Sequence, residues 1–475
     1  MPDITLRQFG KWLPADVQTT ISLYMGLVGS KPGILLESAE VDGRWGRHSL
    51  MAWDFRLVLE PEGGRLKVTV HDERLAPLKD LDGLPYMEGV RRVLRRLTVE
   101  PDLEGLPGIT RGLIGYFGYG VGGMLEPKLE AVLPPERAEA RLVLPGRVML
   151  FDHLHHRCCF LSLDENAVLQ PAPTEWFAPL TAPETGEPTA TPDRETYKDA
   201  VREGKRLITE GECIQVVLST RFSVPAADSP FRIYRRLRQV NPSPHMFYMK
   251  FDDGVLLGSS PEMMVRCDKN RLEVRPIAGT RPRGATGTED LAMEKELLAD
   301  PKERAEHVML VDLGRNDLGR IARPGSVTVE KFMQVERFSH VMHLTSYVEA
   351  DLLPGLDAVD VLAATFPAGT VSGAPKIRAM EIIADLERRD GLPQERGPYA
   401  GCIGWIGLDQ DTVCLDTGIT IRSMWIRDGV CHWQAGAGIV FDSDPEKEWQ
   451  ECNNKARVIM EVVRGKEGGD VFADR

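Results

Sequence analysis

Short runs in which apolar and polar residues alternate mark the first 165 residues, the period expected of strands with one buried face. Arg56-Leu-Val-Leu-Glu and Arg65-Leu-Lys-Val-Thr-Val read as two such strands, and residues 85–97 as a helix. Residues 147–151 and 158–163 read as the arms of a hairpin, which accounts for His153, His155, His156, Cys158 and Cys159 better than a tetrahedral metal motif does. After residue 192 helices and strands alternate. Asp193 opens a helix through Ile208 that ends at Gly211, and a strand follows at 214–222. Asp300-Pro301-Lys302-Glu303 joins a capping Asp, a Pro in the first turn and a Glu three residues on, so a helix is expected from there to Leu313, stopping at Gly314. Pro375 starts another helix, to about Arg389, and Ser443-Asp444-Pro445-Glu446 starts the last, reaching Val463. Residues 272–274, 412–421 and 430–434 read as strands, the last two as antiparallel neighbours.

Composition adds a boundary. The stretch from about Asp164 to Pro192 is dense in Pro, Ala, Thr and Glu, the make-up of a linker. It divides the chain into an N-terminal part (1–165), a linker (166–192), a C-terminal part (193–465) and a flexible tail (466–475). A net charge of −13 argues against nucleic-acid binding, and no apolar run approaches the roughly 18 residues of a membrane span. Eight scattered cysteines without Cys-x-x-Cys spacing, and nothing like a secretory segment near Met1, lead to the expectation of a cytoplasmic protein with reduced thiols.

An acidic protein that binds an anion must concentrate its cationic groups. Arg275-Pro-Ile-Ala-Gly-Thr-Arg-Pro-Arg283 crowds three arginines and a Gly-Thr pair into one bend turning on Gly279, which suits a small anion or, more plainly, a solvated basic turn. In the helix after Asp300, residues Glu303, Glu306, Leu310 and Leu313 share a face, so two carboxylates fall on the stripe expected to be buried and need either an arginine or a cation. On the last helix, Glu451 and Lys455 stand at i, i+4 beside a core face of Trp449, Cys452, Ala456, Ile459 and Val463, the spacing of an ordinary helix ion pair. Gly436-Ala437-Gly438 allows backbone N–H groups to approach an anion but lacks the spacing of a dinucleotide fingerprint. Gly369-Thr-Val-Ser-Gly-Ala-Pro-Lys376 lacks the ending of a phosphate loop, and Gly401-Cys402-Ile-Gly404 lacks the His partners of an amidotransferase nucleophile; Cys402 reads as a small buried hydrophobe.

These segments together resemble the chorismate-utilising enzymes, in the form carried by anthranilate synthase component I. The resemblance spans residues 10–465 and is most specific over 241–457. It implies an α+β fold of layered antiparallel β-sheets flanked by helices, with the active site in a cleft. Residues 306–317 and 451–457 resemble the two segments that each supply one Mg²⁺ ligand, which would be Glu306 and Glu451. Gly279 and Thr280, the loop of Gly436, Ala437 and Gly438, Tyr399, Arg422 and Lys455 match substrate-binding positions, Tyr399 and Arg422 against the enolpyruvyl side chain. Read alone, Tyr399 is a packed aromatic, Arg422 a surface strand residue and His343 a structural strand histidine. The resemblance puts His343 against the ring and makes Glu262 the acid for the departing C4 hydroxyl.

Two positions sort the family. Ala278 stands where aminodeoxychorismate synthases carry a nucleophilic Lys, and Gln215 where isochorismate and salicylate synthases carry the Lys that activates water. Both absences imply direct attack by ammonia on chorismate to give anthranilate, the first committed step of tryptophan biosynthesis. Aminodeoxychorismate synthase component I and a non-catalytic tryptophan sensor are the alternatives. No glutaminase triad is recognisable, so a separate glutamine amidotransferase subunit and a hetero-oligomer are expected. Leu35-Leu-Glu-Ser38 and Asn241-Pro-Ser-Pro244-His245-Met246 resemble the halves of an L-tryptophan feedback site built from Ser38, Pro244, His245 and Met246, with His245 replacing the usual Tyr.

Overall fold

The strands of the two sequence halves pair with each other. In the computed structural model, which describes residues 3–39, 47–172, 180, 185–337, 341–389, 392–393 and 395–464, the strand Gly33–Glu37 lies between His48–Glu62 and His245–Lys250. Gly112–Phe117 likewise pairs with Cys402–Gly407. Twenty-two strands among the described residues join one hydrogen-bonded network flanked by helices. Pairing is antiparallel throughout except between Ile4–Pro14 and Leu97–Pro101, so the fold is α+β with the predominantly antiparallel sheet expected from its alternating runs. The cores also cross the linker. One joins Leu57, Leu113 and Val143 to Val265, Ile403 and Leu415; the other joins Tyr24, Leu35 and Met149 to Tyr234, Trp433 and Ile459. No helix among the described residues is long and apolar enough to cross a membrane.

The early elements follow their patterns. Arg65–Val70 pairs with His48–Glu62, a helix spans Tyr86–Arg96, and Ala140–Asp152 pairs with Arg157–Ser162 as the expected hairpin. The histidines at that hairpin turn serve its structure: His153 Nε2 is 2.8 Å from Ser49 Oγ and His155 Nδ1 is 2.8 Å from Asp152. Among the described residues no three His, Cys, Asp or Glu side chains are grouped to hold a metal. All eight cysteines carry free thiols, and seven are buried. In the Pro/Thr-rich stretch, residues 173–179 and 181–184 lie outside the described residues, while Thr189–Thr191 pairs with Gln215–Pro225. The tail expected after Gly465 also lies outside the described residues.

Two local expectations are corrected. The helix capped by Asp300, whose side chain accepts from the Lys302 and Glu303 amides, does not stop at Gly314 but spans Pro301–Gly319. Gly314 is a packing gap: a Cβ there would lie 2.9 Å from Val274 Cγ2. That close approach to the sheet sets the helix rotation, so the buried face is His307, Leu310, Val311, Gly314, Asp317 and Leu318. Glu303 and Glu306 therefore stand on its flank rather than on its buried stripe. The Arg275–Arg283 segment is likewise no simple turn. Ile277–Pro282 is a strand paired with Val341–Asp351, and a bulge between Ala278 and Thr280 is made by Gly279 at φ +64°.

Candidate active site

The floor of the cleft is the antiparallel pair Gln215–Pro225 and Val430–Ile439, with Ser219 opposite Gly436 and Val217 opposite Gly438. The two glycines let side chains close over the backbone. A Cβ at 436 would lie 2.8 Å from the Tyr399 hydroxyl, and one at 438 would lie 2.2 Å from Gln215 Nε2. Gln215 is buried, and its Oε1 has no hydrogen-bond partner among the described residues. Ala437 between the glycines is also buried.

The last helix, Pro445–Arg464, closes one side. Lys455 Nζ donates to the Gly436 carbonyl at 3.0 Å and pairs with Glu451 at 2.7 Å, while Arg422 Nη1 donates to the Lys455 carbonyl at 3.3 Å. Arg422 is held at φ +50°, a conformation that costs of order 1–3 kcal/mol at a non-glycine residue and gathers at functional sites. Burial lowers its pKa, opposed by Tyr399 and Glu451, so its guanidinium is short of hydration and suited to an anion. Tyr399 is packed as the plain reading expected, yet its hydroxyl reaches the cleft floor at Gly436.

Opposite stands the helix Pro301–Gly319. Glu306 is solvent-exposed as a residue, yet its carboxyl lies in the field of Glu451 and Lys455. Lost hydration raises its pKa, repulsion from Glu303 and Glu451 adds to that, and Lys455 and Lys302 oppose it. Burial also raises Glu448, with Glu451 adding repulsion. Four carboxylates thus share one field with two lysines. Glu262 is pushed up to about 7 by burial, offset in part by Thr370 and Lys455. Among the described residues, the buried Thr370 hydroxyl beside it has no well-formed hydrogen bond of its own.

Gly279 and His343 complete the ring. A Cβ at 279 would lie 3.2 Å from Glu303 Oε2. His343 Nδ1 is 3.1 Å from the Gly279 carbonyl and 3.0 Å from Thr280 Oγ1. A carbonyl can only accept, so Nδ1 carries the proton and Nε2 the lone pair in the neutral ring. Burial lowers the His343 pKa, and Arg422 and Arg275 add to that, favouring the neutral form.

The arginines of the 275–283 segment do not supply the anion site. Arg275 pairs with Glu336, Arg281 with Glu296, Asp300 and Glu303, and Arg283 with Asp290, so they brace the adjoining strands and helices. Lys376 is similarly engaged with Asp317 at 2.8 Å. Glu448, Lys302 and Thr370 were not picked out by sequence reasoning. Glu448, three residues before Glu451 on the same helix face, carried a usable signal; Thr370 lies in the 369–376 segment that resembles the family, but the residues alone did not place it beside Glu262.

Ser38, Pro244, His245 and Met246 line a separate cavity of about 140 Å³. Its walls are apolar at Leu36, Leu50, Ile277 and Trp405, and polar at Arg275 and Asp416. Among the described residues, the buried Ser38 Oγ and Asp416 Oδ1 have no hydrogen-bond partners. Burial lowers the His245 pKa; Asp416 opposes this, while Arg266 and Arg275 add to it. Pro261 and Met263, on either side of Glu262, face this cavity, as does Ile277 beside Ala278.

The chain is similar to known proteins over nearly its whole length. The family model described as chorismate binding enzyme matches residues 68–461. Anthranilate synthase component 1 of Pseudomonas putida is 40% identical over 94% of this chain and 93% of its own length. The protein of the same name from Aquifex aeolicus is 40% identical over 95% of this chain and 93% of its own. The crystal structure of anthranilate synthase component I from Streptococcus pneumoniae superposes with a TM-score of 0.73 at 32% identity, covering 94% of this chain and 98% of that one. By the match to the family model and by these near-full-length similarities, the chain belongs to the chorismate-binding enzyme family, among the anthranilate synthase component 1 proteins.

Proposed function

We propose that this chain converts chorismate and ammonia to anthranilate, pyruvate and water. The observation that carries the reading is that the Glu306 carboxyl lies in the field of Glu451 and Lys455, the lysine that donates to the Gly436 carbonyl at the cleft floor, with Arg422 and Tyr399 beside them. Two carboxylates with further positions left to water and substrate suit Mg²⁺, a hard cation that keeps part of its hydration. Glu306 and Glu451 would hold it; when bound, Mg²⁺ supplies positive charge to the ring carboxylate. Arg422, Tyr399 and the 436–438 backbone orient the enolpyruvyl carboxylate, with Lys455 beside them.

Ammonia forms the bond to C2 while the C4–O bond breaks, and the oxygen leaves as water with the Glu262 proton. The new ammonium nitrogen gives one proton to the Glu262 carboxylate, which restores the acid. His343 Nε2 then takes the C2 proton as the C3–O bond breaks; the enolpyruvyl group leaves and becomes pyruvate, and the ring aromatises. Ala278 offers no amine, and Gln215 is no base for water, which supports ammonia as nucleophile. Anthranilate fluorescence with chorismate, Mg²⁺ and ammonium or glutamine tests this. Ammonium is expected to sustain turnover and glutamine none until an amidotransferase subunit is added. Burial pushes the Cys402 thiol well above its usual range, which fits no glutaminase nucleophile. Glutamine use by the pure chain overturns this division of labour.

Feedback follows from the second cavity. An apolar wall with unpartnered Ser38 and Asp416 atoms suits a ligand with an aromatic body and a zwitterionic end, and we assign it to L-tryptophan. One wall comes from residues 1–165, the other from 193–465, where all the proposed catalytic side chains lie; this supports a regulatory part and a catalytic part. Glu262 sits between two cavity-lining residues, so a ligand that shifts them biases the acid. Ser38→Arg fills the cavity and is expected to raise the tryptophan concentration for half inhibition at least about tenfold, a coupling loss near 1.4 kcal/mol. Inhibition unchanged in Ser38→Arg removes this cavity from consideration.

A further inference from the structure

Arg396 and Glu387 form a buried ion pair that has no part in the chemistry above. Both side chains are almost sealed from solvent, 1% and 3% exposed. Arg396 Nε and Nη2 donate to the two Glu387 oxygens at 2.9 and 2.7 Å. The remaining bonds reach outward. Nη1 donates to the Val371 carbonyl at 2.9 Å, one residue from Thr370 beside Glu262; Nη2 donates to the Val217 carbonyl at 2.7 Å, opposite Gly438. Glu387 Oε1 accepts from the Ser219 amide and hydroxyl, both at 2.8 Å, and Ser219 stands opposite Gly436. Ser219 Oγ in turn accepts from Gln434 Nε2 at 2.8 Å, two residues before Gly436 on the floor strand Val430–Ile439. The guanidinium also lies 4.7 Å from the Tyr119 ring centroid and 5.7 Å from that of Tyr399.

We propose that Arg396, locked by Glu387, is a positioning residue that fixes the Tyr399 ring and the backbone opposite residues 436–438 at the place where the substrate's side-chain carboxylate binds. The proposal rests on the chorismate reading given above. A planar fork satisfied on three edges cannot rotate, and Lys, a single point donor, cannot copy it. One group thereby sets the mutual distances of the Tyr399 hydroxyl, the floor strands and the Thr370 loop. A displacement of even about 1 Å at such a site costs binding or rate of order a hundredfold.

The test is the KM-against-kcat split in Arg396→Lys, with ammonium as nitrogen source, followed by a cycle with Tyr399→Phe. Wild-type turnover of chorismate, measured first, decides the functional reading; the variants decide the positioning role. The expected result is a KM for chorismate raised about ten- to a hundredfold. In the Tyr399→Phe background the Arg396→Lys effect is expected to shrink, because the hydroxyl it places is gone. A purely structural role lowers the number of folded sites, so kcat falls while KM stays; that pattern overturns the proposal, as do effects that multiply independently in the cycle. Should Arg396→Lys not fold, Glu387→Gln keeps the shape, sets its amide against the guanidinium and is read by the same split.

Discussion

Glu306→Gln and Glu451→Gln are each expected to lower anthranilate formation by at least about a hundred- to a thousandfold while the chain stays folded, because each deletes a charge built to meet a cation. The electrostatics of the free protein give the prediction a second readout. Lost hydration, and then the charges of Glu303 and Glu451, raise the Glu306 pKa in the folded state. A raised carboxyl binds its proton more tightly folded than unfolded, so this contribution to stability is present at acid pH and is lost as pH rises through the folded pKa. Above that folded pKa, ionised Glu306 therefore costs the fold stability without metal. Glu306→Gln should melt at or above the wild-type temperature in the absence of Mg²⁺, and should gain less on its addition, since a ligand that binds only the native state stabilises by mass action. Turnover near that of wild type at saturating Mg²⁺ in either variant makes the ligand assignment wrong.

What could be read in the sequence was what is written locally. The Asp300 cap, the hairpin at 147–163 and the helix after Asp444 depend on neighbouring residues and came out as expected. Gly314 was misread because a glycine at the end of an apolar stripe has the same local signature whether it stops a helix or admits a strand; Val274, 40 positions away, decides between them. The arginines of the 275–283 segment were misassigned for a related reason. Composition shows three cations, but Glu336, Glu296, Asp300 and Asp290 claim them only once the adjoining strand and helices are in place. Tyr399 and Arg422 pose the opposite problem. Neither has a spacing that marks function, and it is the contact of one with Gly436 and of the other with Lys455 that joins them to the cleft. The Arg396–Glu387 pair was invisible for the same reason, since its partners at Val217, Ser219 and Val371 are scattered along the chain.

The acid offers the sharpest pH test. Burial lifts Glu262 from 4.5 to about 7, so about half of it stays protonated at neutral pH, where an ordinary carboxyl would be almost fully ionised, and it can serve as the acid for the C4 hydroxyl. Ionisation removes that proton, so turnover should fall as pH rises through about 7, with a slope of one proton. Free ammonia also increases with pH, and total ammonium must therefore be adjusted at each pH to hold the free base constant. Glu262→Gln cannot deliver a proton and should lower kcat by about a hundred- to ten-thousandfold. Its residual rate should lack the descending limb. Stability supplies the matching sign. With the folded pKa above the unfolded one, the Glu262 contribution is full below about 4.5 and is lost as pH rises to about 7, a change of up to about 3 kcal/mol that Gln abolishes. Denaturant titrations of wild type and Glu262→Gln at pH 5 and 8 read that difference directly. A descending limb that persists in Glu262→Gln belongs to another group, and Glu262 is then not the acid.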